Sequence, residues 1–497
     1  MIQSWFILSV IFCAGIICTI LIAIKIHKTW LGKKDKYKWC IILIFVMAAI
    51  LRMSLSIVNQ DAYDNHFEVI DIIKDEDRLP TLEDCHQCYH PKLYHATVAA
   101  ILEFFPLRNH RIKLILAQLL NSLAGLLTIY IVWIFLNNSL LADRVKLISF
   151  SLVALNPKLI GVNAMVSNDS FVIFFSTLAM YLLHCFFASK RPKYFLALLI
   201  STILAGLTKA NGLVLFAAIL LIFVLIIIKD AKFSLNPKKG YLAYLLIFLF
   251  TFLLIVPKLG QYDKVASQGG TLIFNYHPRA PFPNFFKDAT TDNDDEPEIT
   301  SIKSGYFTFR LFGLLKHPKN QGESSMPTDL HEISLWSQLY AQTHDINFDY
   351  SSGSWQTDNK VILNMSRAIF VLALLPTFFL LVEIGKRLKI WFGATIKREF
   401  DFIRRDNDWI FDILFIGYIA AIIFYTLMFR NNDCMKAMYI FPALIAVVSL
   451  VSKGLERIYR LFEQRNKLAL LFDAGFSLLF LLYVVTTASL IYRLLNS

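Results

Sequence analysis

Apolar runs of about twenty residues recur along the whole chain, separated by short polar stretches. At 1.5 Å per residue each run is long enough to cross roughly 30 Å of hydrocarbon. Lipid offers the backbone no hydrogen-bond partners, so such runs fold as helices. The pattern predicts spans at roughly 4–26, 39–58, 113–136, 145–163, 168–188, 194–208, 211–228, 241–257, 362–385, 409–429, 435–452 and 468–492. The expected fold is an all-α polytopic membrane protein with about twelve transmembrane helices. The first run, Trp5 to Ile26, lacks a small-residue cleavage pattern and precedes Lys/Arg-rich sequence, so it reads as a retained helix. The two short runs flanking "GLTKANG", Gly206 to Gly212, read as a hairpin.

The polar stretches carry a sidedness signal. "HKTWLGKKDKYK", "SKRPKY", "KDAKFSLNPKKG", "KRLKIWFGATIKREFDFIRR" and "KGLERIYRLFEQRNK" are all rich in Lys and Arg, and all fall on one side if the spans alternate. The positive-inside rule makes that side cytoplasmic. Both termini and two long loops, 59–112 and 258–361, then lie outside. The expected organisation is an N-terminal helix with a basic linker over 1–38, a transmembrane core over 39–257, the second external loop over 258–361, and C-terminal helices over 362–497. Short amphipathic helices are expected within the two external loops.

Composition agrees with this pattern. The 497 residues are 56% hydrophobic and only 17% charged, where soluble domains are nearer a quarter charged. The net charge of +12 is accounted for by the cytoplasmic linkers, so nucleic acid is not an expected partner; the bilayer is.

The densest acid stands where the chain leaves a span. In "DAYDNHFEVIDIIKDEDRLP", residues 61–80, a helix over 61–75 would align Asp61, Asp64, Glu68, Asp71 and Asp75, with His66, Val69, Ile72 and Ile73 opposite. Most of that stripe is a solvated face. Asp61 and Asp64 differ, because they sit at the mouth of the preceding span, where ionisation in a partly desolvated place implies function. Farther on, Cys85, His86, Cys88 and His90 have the residue types of a zinc site. An external location favours a disulfide or free thiols instead, with a divalent metal as the alternative. Pro91 fixes the chain before a new helix, holding Lys92, Tyr94 and His95 near the acids.

These residues resemble the GT-C class of integral-membrane glycosyltransferases, family 39-like, in the branch of protein O-mannosyltransferases and the lipid A aminoarabinose transferase. The family's order of an acidic motif, "lP" and an "HPPLYY"-like segment is matched here by "DAYDNHFE", "RLP" and "YHPKLYH". "NPKLIGVNAMVSNDS" (156–170), "AGLTKANGLVL" (205–215) and "KAMYIFPALIAV" (436–447) are similar to later family segments, with Lys436 where Arg is usual. The helix at 5–26 is an addition to the shared core.

The resemblance implies transfer of a sugar from a polyprenyl-phosphate donor to a lipid, glycan or protein acceptor on the extracytoplasmic face, with inversion. Asp64 or Asp61 would be the general base, and His66, Asp169, His90 and Tyr94 would be supporting polar groups. The leaving phosphate needs cations, for which Lys92, Lys209, Arg279, Arg430 and Lys436 are the candidates. Trp336, Tyr340 and His344, in "LWSQLYAQTHDINFDY", are candidates for an acceptor path, although aromatics at helical spacing are commonly packing residues. A transporter or flippase of a lipid-linked or anionic solute is the competing reading. It would bury charge near the midplane and show repeated halves, whereas these polar groups gather at one face. The lack of an HExxH motif argues against a zinc hydrolase. The Ile/Lys/Phe-rich composition points to a bacterial inner membrane rather than the endoplasmic reticulum.

Overall fold

A computed structural model of the chain describes residues 17, 19–25, 38–60, 65–81, 83–105, 107, 109–233, 239–255, 305–319, 334–348, 355–397, 407–428, 435–462 and 466–496. Among these residues there is no strand. In chain order the helices are α1 (Lys38–Val58), α2 (His66–Asp75), α3 (Leu93–Phe104), α4 (His110–Asn137), α5 (Asp143–Ala154), α6 (Pro157–Asn163), α7 (Asp169–Ser189), α8 (Pro192–Thr208) and α9 (Gly212–Phe233). They continue as α10 (Lys239–Ile255), α11 (Leu311–Lys316), α12 (Leu335–His344), α13 (Lys360–Leu372), α14 (Leu374–Lys397), α15 (Trp409–Met428), α16 (Leu444–Phe462) and α17 (Asn466–Leu495).

Seven described helices are long and apolar enough to cross a membrane, or eight if the bent pair α5 and α6 is one span. Shorter apolar helices include Pro192–Thr208, Gly212–Ile228 and Tyr241–Leu254. The chain is an integral, multi-pass membrane protein. The hairpin expected at "GLTKANG" is present: α8 ends at Thr208, α9 starts at Gly212, and the turn closes with Gly212 N–H donating to the Lys209 carbonyl at 2.9 Å. Gly212 is required there, since a Cβ would lie 2.4 Å from the Ala205 carbonyl.

Two expectations need correction. The acidic helix begins at His66 rather than at residue 61, because Asn65 takes a left-handed conformation with φ 53°. Its buried face is His66, Phe67, Val69 and Ile70, with Ile72 and Ile73 only partly buried. The run expected as one span over 145–163 is broken, with α5 and α6 meeting at 46°. Pro157 has no N–H to continue the helix, and the Asn156 side chain accepts from Leu159 N–H at 2.8 Å to start a new one.

The break frees backbone carbonyls inside the bundle, and a buried cation takes one up. Arg52, fully buried in α1, donates to the Ala154 carbonyl at 2.8 Å and to Asn163 Oδ1 at 2.9 Å. Asn163 in turn donates to Ser170 Oγ at 3.0 Å. Helix α4 approaches this group closely at Gly125, where a Cβ would come within 2.1 Å of Asn163 Oδ1.

Two further networks hold helices together. Trp355 donates its indole N–H to Asn59 Oδ1 at 3.2 Å, while Arg493 of α17 donates to the Trp355 carbonyl at 2.9 Å and to Asn347 Oδ1 at 3.0 Å. The end of α1, the segment between α12 and α13 and the last helix are thereby clasped together. Toward the other end of the bundle, Arg387 pairs with Glu383 at 3.1 Å and with Asp408, Arg457 pairs with Glu383 at 3.0 Å, and Lys453 pairs with Asp408. Trp391 donates to Asp412 at 3.1 Å, so α14, α15 and α16 are tied together there.

Candidate active site

Three turns supply the polar centre. The segment Ala164–Asn168 leads into α7 and is held by side chains from other helices: Asn59 donates to the Ala164 carbonyl at 2.9 Å, and Asn121 of α4 donates to those of Met165 at 2.7 Å and Ser167 at 2.9 Å. Asn168 donates to the Thr208 carbonyl at 3.3 Å, which ties this segment to the α8–α9 turn. Asp169 and Lys209 consequently meet, with Lys209 Nζ 2.7 Å from Asp169 Oδ1. Ser167 Oγ donates to the other Asp169 oxygen at 2.6 Å. Both partners are buried, at 2% and 9% exposure.

The stretch from α2 to the start of α3 brings a histidine cluster beside this pair. His66 Nδ1 lies 2.9 Å from His95 Nε2, and His66 stacks on His90 with ring centroids 5.6 Å apart. One ring of the His66–His95 pair must donate while the other accepts. Burial, together with Lys209 and the neighbouring histidines, holds His90 well below the ordinary histidine range. Burial does the same to His95, helped by His66 and Lys92. Tyr94 accepts from Asn121 Nδ2 at 3.2 Å, and burial raises its hydroxyl above the usual range. Lys92 is pushed down to about 7 by burial, and its ammonium donates to the Cys88 carbonyl.

Cys85 and Cys88 form a disulfide. This corrects the alternative of a metal held by Cys85, His86, Cys88 and His90: the two sulfurs are bonded to each other, and among the described residues no group of three His, Cys, Asp or Glu could hold an ion. The disulfide packs under Val69 and stands immediately before Tyr89 and His90.

A pocket of about 70 Å3 opens at this centre. Tyr89, His90, Lys209 and Asn211 line its polar part, and Val214 of α9 with Tyr418, Ala421, Ile422 and Tyr425 of α15 line the part between two apolar helices. Tyr439 completes the wall, with the Lys209 ammonium 5.5 Å from its ring centroid. Cationic and polar side chains thus stand beside apolar ones in a single lining.

Of the residues expected from sequence, the structure brings together His66, Asp169, His90, Tyr94 and Lys209. Lys436 is buried next to Tyr439 and close enough to Lys158 for each charge to act on the other. Lys92 lies beside the histidines without lining the pocket. Asp61, Asp64, Arg279 and Arg430 lie outside the described residues. Helix α12 sits against the Lys436 turn, since Gln342 accepts from Ala437 N–H at 3.1 Å. Its three aromatic candidates face packing partners: Trp336 donates to the Tyr306 carbonyl at 2.7 Å, Tyr340 to that of Phe370, and His344 shares a hydrogen bond with Tyr483.

Sequence reasoning missed Arg52 and Lys158, both fully buried. A charge within an otherwise apolar run was the available signal for Arg52, and the Asn-Pro step before Lys158 was the signal for a helix break that turns it inward.

The family model described as dolichyl-phosphate-mannose-protein mannosyltransferase matches residues 110–262, a stretch that contains Asp169, Lys209 and Asn211. The match supports the resemblance to the GT-C glycosyltransferases. Among solved structures, the chain is similar to the crystal structure of ArnT from Cupriavidus metallidurans bound to undecaprenyl phosphate, at 12% identity over 84% of this chain and 78% of that one, with a TM-score of 0.34. No curated protein matches the chain.

Proposed function

We propose that this membrane protein is a glycosyltransferase that moves a sugar from a polyprenyl-phosphate donor to an acceptor hydroxyl at the extracytoplasmic end of its helices. The observation that supports this reading is the amphiphilic lining of the pocket, which joins Lys209 and His90 to Val214, Ala421 and Ile422. A polyprenyl-phosphate sugar has the complementary character, an apolar tail on a phosphodiester of one negative charge that gains a second as the sugar leaves.

The chemistry follows from the groups available. A carboxylate takes the proton of the acceptor hydroxyl, whose oxygen attacks the anomeric carbon while the bond from that carbon to the phosphate oxygen breaks on the opposite face. The sugar is transferred with inversion and polyprenyl phosphate leaves. The base is assigned to Asp64 or Asp61 on sequence grounds, in the segment between α1 and α2. Asp169 is better suited to hold the Lys209 ammonium toward the departing phosphate than to act as base, because its two oxygens are already engaged by Lys209 and Ser167. Lys436 adds positive charge on the same side, with Lys92, Arg279 and Arg430 as further candidates for the donor phosphate. An acceptor would approach past α12, which adjoins the Lys436 turn.

The test is donor consumption by purified protein in lipid, with a panel of radiolabelled polyprenyl-phosphate sugars, comparing wild type with Asp61→Asn, Asp64→Asn and Lys209→Met. Loss of turnover in one Asp variant that still folds identifies the base. Wild-type protein that consumes no donor of the panel sinks the reading.

A further inference from the structure

Two exposed phenyl rings stand on a segment too short to cross a membrane. Phe307 is 80% and Phe312 86% exposed, on the stretch that contains the six-residue helix α11. The backbone beneath them is held from the other side. The Tyr306 carbonyl accepts from Trp336 Nε1 at 2.7 Å, the Thr308 carbonyl accepts from Ser334 Oγ at 2.5 Å, and Arg310 N–H donates to Ser337 Oγ at 2.8 Å. Every second residue from 306 to 310 is thus tied to α12 or to the serine that caps it, and Phe307 alternates outward. Phe309 shares that register, with its ring edge on Tyr340 at a centroid distance of 5.1 Å. Within α11, Leu314 is buried and Leu311 and Leu315 pack against the core, which leaves Phe312 on the outer face. The fold therefore presents both rings in a fixed direction.

Their level along the bundle indicates what covers them. Arg367 of α13 donates from Nε to the Leu315 carbonyl at 2.7 Å, which fastens the end of α11 to that helix. Arg367 is the last charged residue before residues 368–382, an uncharged and largely apolar stretch of the candidate span Lys360–Ile396. Val371, Phe378 and Leu381 in that stretch are exposed, as residues facing lipid are. Helix α11 is thus held where α13 enters the hydrocarbon, and its exposed face continues a surface that is already in lipid. Lys316, also exposed, stands four residues after Phe312 and shares its face. Exposed aromatic rings beside a basic residue, on a short segment at this level, are the make-up of a structure that lies in the membrane interface without spanning it.

We propose that residues 306–316 form an interfacial anchor, in which Phe307 and Phe312 enter the bilayer leaflet at the pocket's end of the bundle and Lys316 stays among the headgroup phosphates. The partner is a lipid surface. The anchor joins that surface to α12, the helix that adjoins the Lys436 turn. This inference stands apart from the transferase reading, since it uses no residue of the pocket and no substrate.

The test places p-benzoylphenylalanine, a photocrosslinking residue built on the same phenyl ring, at position 307 or 312 of the full-length protein. The protein is reconstituted in liposomes of phosphatidylethanolamine and phosphatidylglycerol, with position 378 as the lipid-facing reference. After irradiation, mass spectrometry identifies what each position has captured. Phospholipid adducts are expected at 307 and at 312, in yields comparable with that at 378. Adducts to another segment of this chain, or to a second copy, would show that protein covers the rings and would overturn the anchor. Phospholipid adducts at 378 with none at 307 and 312 would place the rings in water and overturn it as well.

Discussion

Lys209 and Asp169 form a buried ion pair at 2.7 Å between the turn that joins α8 to α9 and the start of α7. Removing one member of such a pair leaves the other charge uncompensated, at a cost of about 3–5 kcal/mol. Lys209→Met is therefore expected to lower the unfolding temperature strongly. The double variant with Asp169→Asn should regain most of the stability but none of the donor turnover. Equal stability in the single and double variants would show that the pair is not coupled.

The histidine cluster predicts acid lability. His90 and His95 are held neutral by burial, so their folded pKa values lie below the ordinary value near 6.5. Such a group contributes its stability in full above that value and loses it as pH falls toward the folded pKa, because the unfolded chain then binds the proton more readily. Each pH unit below about 6.5 should cost up to about 1.4 kcal/mol per histidine. Unfolding temperatures measured from pH 7.5 down to pH 5 should fall, and His90→Gln should flatten the slope. An unchanged slope would assign the effect elsewhere.

Gly125→Ala tests the tight approach of α4 to Asn163. The new Cβ would stand 2.1 Å from an oxygen that cannot swing away freely, since Arg52 and Ser170 hold the same amide. Overpacking of this kind costs about 1–3 kcal/mol. Expression of a normally stable Gly125→Ala protein would mean that the amide has another place to go.

Trp355 separates a hydrogen bond from packing. Trp355→Phe keeps a ring against Gly161 but loses the bond to Asn59, and should cost about 0.5–1.5 kcal/mol. Trp355→Ala empties a fully buried site and should cost about 3–5 kcal/mol. Thermal unfolding of the two variants side by side checks the ordering; equal losses would make the indole bond the whole effect.

Much of the scaffold was legible because hydrophobic run length is a local quantity. The α8–α9 hairpin around Lys209 and the approach of Asp169, His66 and His90 to it could be anticipated from motif order. What escaped depended on partners far along the chain. Arg52 sits in an apolar run, and its purpose emerges only with the carbonyl of Ala154, 102 positions away. The bend between α5 and α6 was signalled by Asn156-Pro157, but the long apolar run around it outweighed that signal. Asn65 set the start of α2 through a left-handed backbone, which hydrophobic periodicity does not report. Helical spacing put Trp336, Tyr340 and His344 within reach of one another, yet each hydrogen-bonds to a packing neighbour instead of lining the pocket.

The charge network around Glu383, Arg387 and Asp408 lies away from the pocket along the helices, yet it holds one end of the helix that forms part of the pocket's wall. Helix α15 is fastened at its start, where Asp408 and Asp412 are held by Arg387, Lys453 and Trp391. Farther along α15, Tyr418 and Tyr425 line the pocket, and near the helix's end Thr426 shares a hydrogen bond with the Tyr306 hydroxyl at 3.1 Å. The about 20 Å of helix from Asp412 to Tyr425 is therefore tied at both ends. Ionic contacts at one end of α15 and a hydroxyl pair near the other fix between them one wall of the cleft.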